Sequence, residues 1–201
     1  MKKLVYIVLA GIILILGYKI FFSPSPRPTV GAVGGTVICF GDSLTSGTGA
    51  DEGMDYPSQL SRLIERPVIN AGVPGDTTAR ALERLERDVL AKSPDVVLIT
   101  LGGNDLKNGV AKDIAFENLR MIVESIQKQG ARVIIGGLRF PLRDRGFGSA
   151  YQKLADETGA SLIPNILAGI IGNRELMSDP IHPNDKGYKI MAERFREAMT
   201  N

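Results

Sequence analysis

The chain has 201 residues, of which 44% are hydrophobic and 23% charged, with a net charge of +2, as is typical of one globular domain that builds its own apolar core. Basic residues are interleaved with acidic ones, which excludes the basic footprint of a nucleic-acid-binding protein. The single cysteine, Cys39, excludes an internal disulfide, and the single histidine, His182, argues against a metallohydrolase. Cys39 lies in an apolar run, and we expect it to be a buried small hydrophobic residue.

An apolar segment behind Lys2 and Lys3 extends over residues 4–22 and is interrupted once, by Lys19. As a helix it would reach roughly 28 Å, close to the hydrocarbon thickness of a bilayer. Residues 1–22 are therefore predicted to be a transmembrane anchor or a cleaved signal segment. The anchor is favoured because prolines crowd the region where a cleavage site would lie. Both interpretations place the rest of the chain on the exported side, periplasmic or extracellular, because the lysines precede the apolar run.

Residues 23–35 are rich in proline and glycine and predict a linker, after which residues 36–201 form the predicted domain. Within that domain short β-branched runs alternate with patterns of helical periodicity. The strand runs occupy residues 36–40, 68–70, 96–100, 132–136 and 161–163, and the helical patterns occupy residues 56–65, 78–90, 114–129, 149–158 and 186–199. This alternation predicts an α/β fold in which helices cover both faces of a parallel sheet. The ligand site should then lie at the carboxyl ends of the strands.

Two loops that follow predicted strands carry groups suited to attack on a carbonyl. After the first strand, Gly41 permits a sharp turn that exposes the hydroxyl of Ser43. After the second strand, the backbone N–H of Gly75 lies beside a helix start, where a donor suits a developing oxyanion. Asp76 or Thr77 is the expected N-cap of that helix. Each loop taken alone is also an ordinary connection between a strand and a helix.

Two later segments supply the remaining groups. After the third strand, Asn104 offers an amide donor that cannot remove a proton from its partner. Near the C-terminus, Asp179 lies three residues before His182, and prolines at 180 and 183 stiffen the segment. This arrangement lets the carboxylate hold one ring nitrogen and leaves the other for a hydroxyl. If this chain has a catalytic triad of serine, histidine and an acid, His182 must be its base.

Taken together, the four segments resemble the SGNH, or GDSL, family of serine hydrolases, whose signature is a Ser, a Gly, an Asn and a His in successive blocks. The resemblance covers essentially the whole predicted domain and is closest to the bacterial branch of acyl-CoA thioesterases, lysophospholipases and arylesterases. It implies a flavodoxin-like fold with a five-stranded parallel sheet between two helical layers. By position it implies Ser43 as nucleophile, His182 as general base and Asp179 as the residue that orients it. It also implies an oxyanion hole formed by the backbone N–H groups of Ser43 and Gly75 and the side chain of Asn104.

The expected activity is hydrolysis of a small-molecule acyl ester or thioester through an acyl-serine intermediate, without a metal or organic cofactor. Apolar residues near the four segments either line a groove for an acyl chain or belong to the core: Val73, Leu106, Val110, Phe140, Leu142 and Ile181. The alternative within the family is a carbohydrate O-deacetylase, although the absence of tryptophan favours acyl chains over sugars. A non-catalytic, membrane-tethered binding module is a further alternative, but such a module would normally have lost one of the site residues. We expect the membrane, through the N-terminal segment, and no nucleic acid as partner.

Overall fold

The computed structural model describes residues 35–139 and 144–200. In this part of the chain, five parallel strands form one sheet in the order β2-β1-β3-β4-β5. The strands are β1 (Val37–Gly41), β2 (Val68–Gly72), β3 (Val96–Thr100), β4 (Arg132–Gly136) and β5 (Ser161–Ile163). The predicted α/β fold with a five-stranded parallel sheet is confirmed. The strand order reverses between β1 and β3, so the crevice outside their carboxyl ends is the switch point where such sheets bind ligands.

Seven α-helices occur among the described residues. They are α1 (Ser43–Ser46), α2 (Tyr56–Leu63), α3 (Thr78–Asp88), α4 (Gly103–Asn108), α5 (Lys112–Lys128), α6 (Phe147–Thr158) and α7 (Asp185–Thr200). Helix α2 packs against α7, whereas α5 packs against both α3 and α6. Right-handed crossovers that run in opposite directions along the sheet lie on opposite faces. The two groups of helices therefore form the two outer layers.

Local signals set the ends of the long helices. Helix α3 begins after Thr77, whose side chain accepts a hydrogen bond from the N–H of Arg80, so Thr77 and not Asp76 is the N-cap. Helix α6 is capped at its C-terminus by Gly159, whose φ of 71° lies in the left-handed region that glycine adopts without strain. The buried residues of α5 recur at helical spacing: Ala115, Leu119, Ile122, Val123 and Ile126.

Strand β1, which lies inside the sheet between β2 and β3, is apolar and buried on both faces, as an interior parallel strand must be. Cys39 lies in this strand and is fully buried, as predicted, and burial raises the pKa of its thiol. Tyr56 of α2 stacks on Phe195 of α7, with ring centroids 5.2 Å apart. Sheet and helices therefore form one packed body, with the strand-to-helix loops at its carboxyl edge.

The described residues include no helix that combines the length and the apolar character needed to cross a bilayer. The predicted anchor or signal segment, residues 1–22, lies outside the described residues, as do residues 23–34 of the predicted linker. The description begins at Gly35, two residues before β1.

Candidate active site

Ser43 is the first residue of α1 and lies just beyond the carboxyl end of β1. The turn between strand and helix needs glycine at position 41, because a Cβ there would overlap the carbonyl oxygen of Thr100. Asp42 caps the helix, and its Oδ1 accepts a hydrogen bond from the N–H of Leu44 at 3.0 Å. The turn therefore presents a half-buried hydroxyl. The N–H of Ser43, in the first turn of a helix, has no acceptor within that helix.

His182 reaches Ser43 from the loop that precedes α7. Its Nε2 lies 3.1 Å from Oγ of Ser43, and its Nδ1 lies 2.6 Å from Oδ2 of Asp179. The second carboxylate oxygen, Oδ1, accepts hydrogen bonds of 2.8 Å from the N–H groups of Ile181 and His182. The Asp179 carboxylate thus holds both the backbone at Ile181 and His182 and the imidazole ring of His182. The hydrogen bond from His182 holds the pKa of Asp179 at about 2, so this carboxylate is ionised at neutral pH.

The loop that carries His182 packs against the loop that follows α1. Met177 and Pro183 form an antiparallel bridge that closes the histidine loop. The N–H of Ser178 donates to the carbonyl oxygen of His182 at 3.0 Å within it. Gly49 packs against this loop so closely that a Cβ would overlap Oγ of Ser178. The close approach brings together two parts of the site that are 139 positions apart in the sequence.

Gly75 lies in a tight turn ahead of α3. The N–H of Asp76 donates to the carbonyl oxygen of Val73 at 3.2 Å, Pro74 occupies the second position, and Gly75 has a φ of 82°. These features define a type II turn, which requires a positive φ at its third position. The N–H of Gly75 belongs to the central peptide of the turn and donates to no acceptor in the part of the chain that the structure describes.

Asn104 lies in the first turn of α4, between the Ser43 and Gly75 turns. Its Nδ2 donates to the carbonyl oxygen of Asp76 at 2.9 Å and to Oδ2 of Asp42 at 3.2 Å. Both amide protons therefore have protein acceptors. The structure thus brings all five predicted site residues into one region, in two hydrogen-bonded groups: Ser43, His182 and Asp179 in the first, and the turns of Ser43, Gly75 and Asn104 in the second.

Three buried carboxyl groups beside the site were not anticipated from the sequence. Asp42, Asp76 and Asp105 are each at most 3% exposed. Burial raises the pKa of Asp42 to about 7, while Asp105 accepts hydrogen bonds from the N–H and hydroxyl of Thr78 at 2.9 and 2.7 Å. A signal was present, since each aspartate directly adjoins a residue implied for the oxyanion hole. Across the described ranges, no three or more acidic, histidine or cysteine side chains are grouped to hold a metal ion.

The Gly75 turn yields a first prediction. Substitution Gly75→Ala is expected to lower kcat by up to about 100-fold, because alanine disfavours a positive φ and promotes a type I turn. That change rotates the central peptide and turns away the N–H that the resemblance implies as an oxyanion donor; the loss of one such donor costs about 10²–10³ in rate in a comparable protease site. The unfolding free energy should fall by about 1 kcal/mol. Steady-state kinetics on a p-nitrophenyl ester and thermal unfolding measure the two effects.

The matched control for this prediction is Gly159→Ala at the end of α6. Gly159 has a φ of 71°, and a Cβ there meets nothing within 4 Å, as at Gly75. It precedes β5 and so lies at the opposite, amino edge of the sheet. Gly159→Ala should lower stability by a similar amount and leave kcat unchanged. Equal kinetics for the two variants would mean that the N–H of Gly75 has no catalytic role.

A family model, curated relatives and a solved structure each match most of the chain. Residues 39–190 match the family model of the GDSL-like lipase/acylhydrolase family. The arylesterase of Vibrio mimicus is 32% identical over 168 residues, which cover 78% of this chain and 84% of the relative. Thioesterase 1/protease 1/lysophospholipase L1 of Escherichia coli strain K12 is 28% identical over 170 residues, covering 81% and 82%. The crystal structure of TesA superposes with a TM-score of 0.77 at 27% identity, covering 82% of this chain and 97% of that chain.

Proposed function

The chain belongs to the GDSL-like lipase/acylhydrolase family and is a hydrolase of ester bonds, and we propose that it works through an acyl intermediate on Ser43. The observation that carries the proposal is the pair of contacts made by His182. Its Nε2 lies 3.1 Å from Oγ of Ser43, and its Nδ1 lies 2.6 Å from Oδ2 of Asp179. These contacts fit a nucleophile, a general base and a carboxylate that orients the base.

The proposed reaction has two halves that use the same groups. In the first, Nε2 of His182 takes the proton of Ser43 as Oγ attacks the substrate carbonyl, and Asp179 stabilises the resulting imidazolium. The bond to the leaving alcohol or thiol then breaks, and His182 gives that group its proton. In the second half, water loses a proton to His182 and attacks the acyl-serine. Collapse of this intermediate releases the carboxylic acid and returns the proton to Oγ of Ser43.

The negative oxygen formed in each half needs hydrogen-bond donors. We assign this role to the N–H groups of Ser43 and Gly75 and to Nδ2 of Asn104. The assignment is supported by the N–H of Gly75, which has no acceptor among the described residues. It is also supported by Asn104, which is bonded to Asp42 and Asp76, the immediate neighbours of the other two donors. The N–H of Gly75, which is in place and unpaired, needs no reorganisation when charge develops.

For the substrate, we propose acyl esters or thioesters whose acyl chain is longer than acetate. Ile181 supports this choice, because it adjoins His182 and its surface is 47% exposed. The names of the relatives, an arylesterase and a thioesterase/lysophospholipase, support the same class. The other apolar candidates are half-buried, namely Val73, Leu106 and Val110, or lie outside the described residues, namely Phe140 and Leu142.

A chain-length series tests the function and the substrate class together. We expect kcat/KM for p-nitrophenyl esters to rise from acetate to medium-chain acyl groups, and Ile181→Ser to reduce that rise roughly fivefold. The factor corresponds to about 1 kcal/mol for partial burial of an isoleucine side chain against the acyl chain. The series should be measured alongside acyl-CoA, lysophospholipid and acetylated-glycan substrates.

Ile114→Ser is the control for this series, because Ile114 is also exposed, at 60%, but lies on α5. It should leave the chain-length profile unchanged. Preference for acetylated glycans, with no effect of Ile181→Ser, would replace the proposal with the carbohydrate O-deacetylase.

We also propose that residues 1–22 attach the domain to a membrane on its exported side. The support is the length of the apolar segment, the lysines before it and the proline-rich linker after it. The full chain should sediment with membranes, whereas a chain that starts at Gly35 should stay in the supernatant with unchanged kcat. The measurements are fractionation, activity assays and N-terminal sequencing. A mature N-terminus near Val33 would replace the anchor with a cleaved signal peptide.

A further inference from the structure

A buried arginine, Arg84, lies beside the site but has no part in the proposed mechanism. It projects from α3 and is only 8% exposed. The carbon of its guanidinium lies 4.4 Å from the ring centroid of Phe40, which is fully buried in β1. A buried charge is costly unless all of its donors find acceptors. The positions of those acceptors therefore show which segments of the chain Arg84 links.

The acceptors of Arg84 lie where β1 and β2 end and where α3 begins. Its Nη2 donates to the carbonyl oxygen of Gly41 at 2.8 Å, and its Nη1 donates to the carbonyl oxygen of Ala71 at 2.9 Å. Its Nε donates to Oδ2 of Asp76 at 2.6 Å. Nη1 also donates to Oδ2 of Asp88 at 3.1 Å, and the Asp88 side chain is more exposed than that of Asp76. One planar group thus joins the ends of two neighbouring strands to the turn before α3.

Each of these segments leads directly to a proposed oxyanion donor. Gly41 lies two residues before Ser43, and Asp76 follows Gly75. The carbonyl oxygen of Asp76 also accepts the hydrogen bond from Nδ2 of Asn104 at 2.9 Å. The guanidinium is therefore bonded to segments that carry or contact all three proposed donors.

We propose that Arg84 is a positioning residue for the oxyanion hole, whose guanidinium holds the Ser43 turn and the Gly75 turn at a fixed separation. The proposal rests on the proposed roles of Ser43, Gly75 and Asn104. Arginine suits the task because its donors form a rigid planar fork, whereas lysine offers one ammonium at the end of a flexible stem. A residue that only stabilised the fold would affect the amount of folded protein and leave the kcat of each folded molecule unchanged.

The test is Arg84→Lys, with kcat expressed per active site titrated with a fluorophosphonate. We expect kcat to fall about 10- to 100-fold while KM stays within about twofold, which is the pattern for loss of an interaction made only in the transition state. Arg194→Lys is the matched control, because Arg194 donates to the carbonyl oxygens of Ile166 and Ala168, each at 2.6 Å, in a loop without proposed site residues. It should lower the melting temperature and leave kcat unchanged.

Asp76→Asn and Asp88→Asn test the same proposal if Arg84→Lys does not fold. Asp76 and Asp88 both bond to Arg84, with side chains 2% and 20% exposed, but only Asp76 adjoins Gly75 and contacts Asn104. Asp76→Asn should lower kcat, and Asp88→Asn should not. Arg84→Lys should also be non-additive in kcat with Asn104→Ala, because both changes act through the same proposed oxyanion hole.

Three results would overturn the positioning role: an unchanged kcat per titrated site in Arg84→Lys, additivity with Asn104→Ala, or equal kinetics in the two aspartate variants. Each of these leaves the wild type active and labelled at Ser43. Failure of the wild type to hydrolyse esters or to be labelled at Ser43 would instead overturn the proposed function, and the positioning role with it.

Discussion

Replacement of Ser43 by alanine is expected to lower kcat/KM for p-nitrophenyl esters by about 10⁴-fold or more, because no hydroxyl remains to form the acyl intermediate. The fold should be preserved. Ser43 is half-buried at the start of α1, and its Oγ contacts the ring of His182, so alanine leaves no apolar cavity. Kinetics, thermal unfolding and labelling with a fluorophosphonate followed by peptide mapping measure the three consequences.

Ser46 provides the control within the same short helix. Its Oγ donates to the carbonyl oxygen of Ser43 at 3.2 Å and, within the described part of the chain, makes no hydrogen bond to His182. Ser46→Ala should therefore retain labelling and most of the activity. If the probe labels a residue other than Ser43, or Ser43→Ala keeps full activity, the nucleophile has been assigned wrongly.

Asp179→Asn should lower kcat about 10⁴-fold at neutral pH, since an amide can donate to Nδ1 of His182 and hold the ring in the wrong tautomer. His182→Ala should cause a loss of similar size. Because the two residues act as a unit, the double variant should be little worse than the poorer single variant. Multiplicative losses, measured as kcat for the three variants, would mean that the base lies elsewhere.

The pH profile gives an independent check on His182. A base must be neutral to accept the Ser43 proton, so activity should be lost as the pH falls and the ring becomes protonated. Asp179 is excluded as the cause, because the hydrogen bond from His182 keeps its pKa at about 2. Burial raises the pKa of Asp42, which lies close to His182, Asp76 and Asp105, to about 7, so this group would add a titration of its own near neutral pH. In an Asp42→Asn background the acid limb should therefore follow a single proton.

The sequence patterns predicted the strands and the long helices but missed two short helices. Strands β3 and β4 occupy the predicted residues, and α2, α3, α5, α6 and α7 lie within a few residues of the predicted ranges. Helices α1 and α4 have four and six residues, too few for a periodic apolar face. Capping and tertiary contacts decide such short helices, and these two carry Ser43 and Asn104.

Residue types, together with the family resemblance, select five residues that the structure brings into one region, whereas the residues that support them depend on burial. Asp179 and His182 are close in sequence, so their contact follows from a local turn. Arg84 instead lies in a helix with many charged residues, where an arginine is normally exposed to solvent. Its burial depends on carbonyl groups at the ends of β1 and β2, which no local pattern reveals.

The hydrogen bonds of Asn104 have a consequence for selectivity between the bound ester and the transition state. Before a substrate arrives, the two amide protons are donated to Asp76 and to the carboxyl of Asp42. A neutral ester carbonyl is a weaker acceptor than the ionised form of Asp42 and does not readily displace it, whereas a charged tetrahedral oxygen competes on similar terms. Asn104 would thus exchange partners as negative charge develops on the ester carbonyl oxygen. Such an exchange raises kcat without tightening the binding of the substrate.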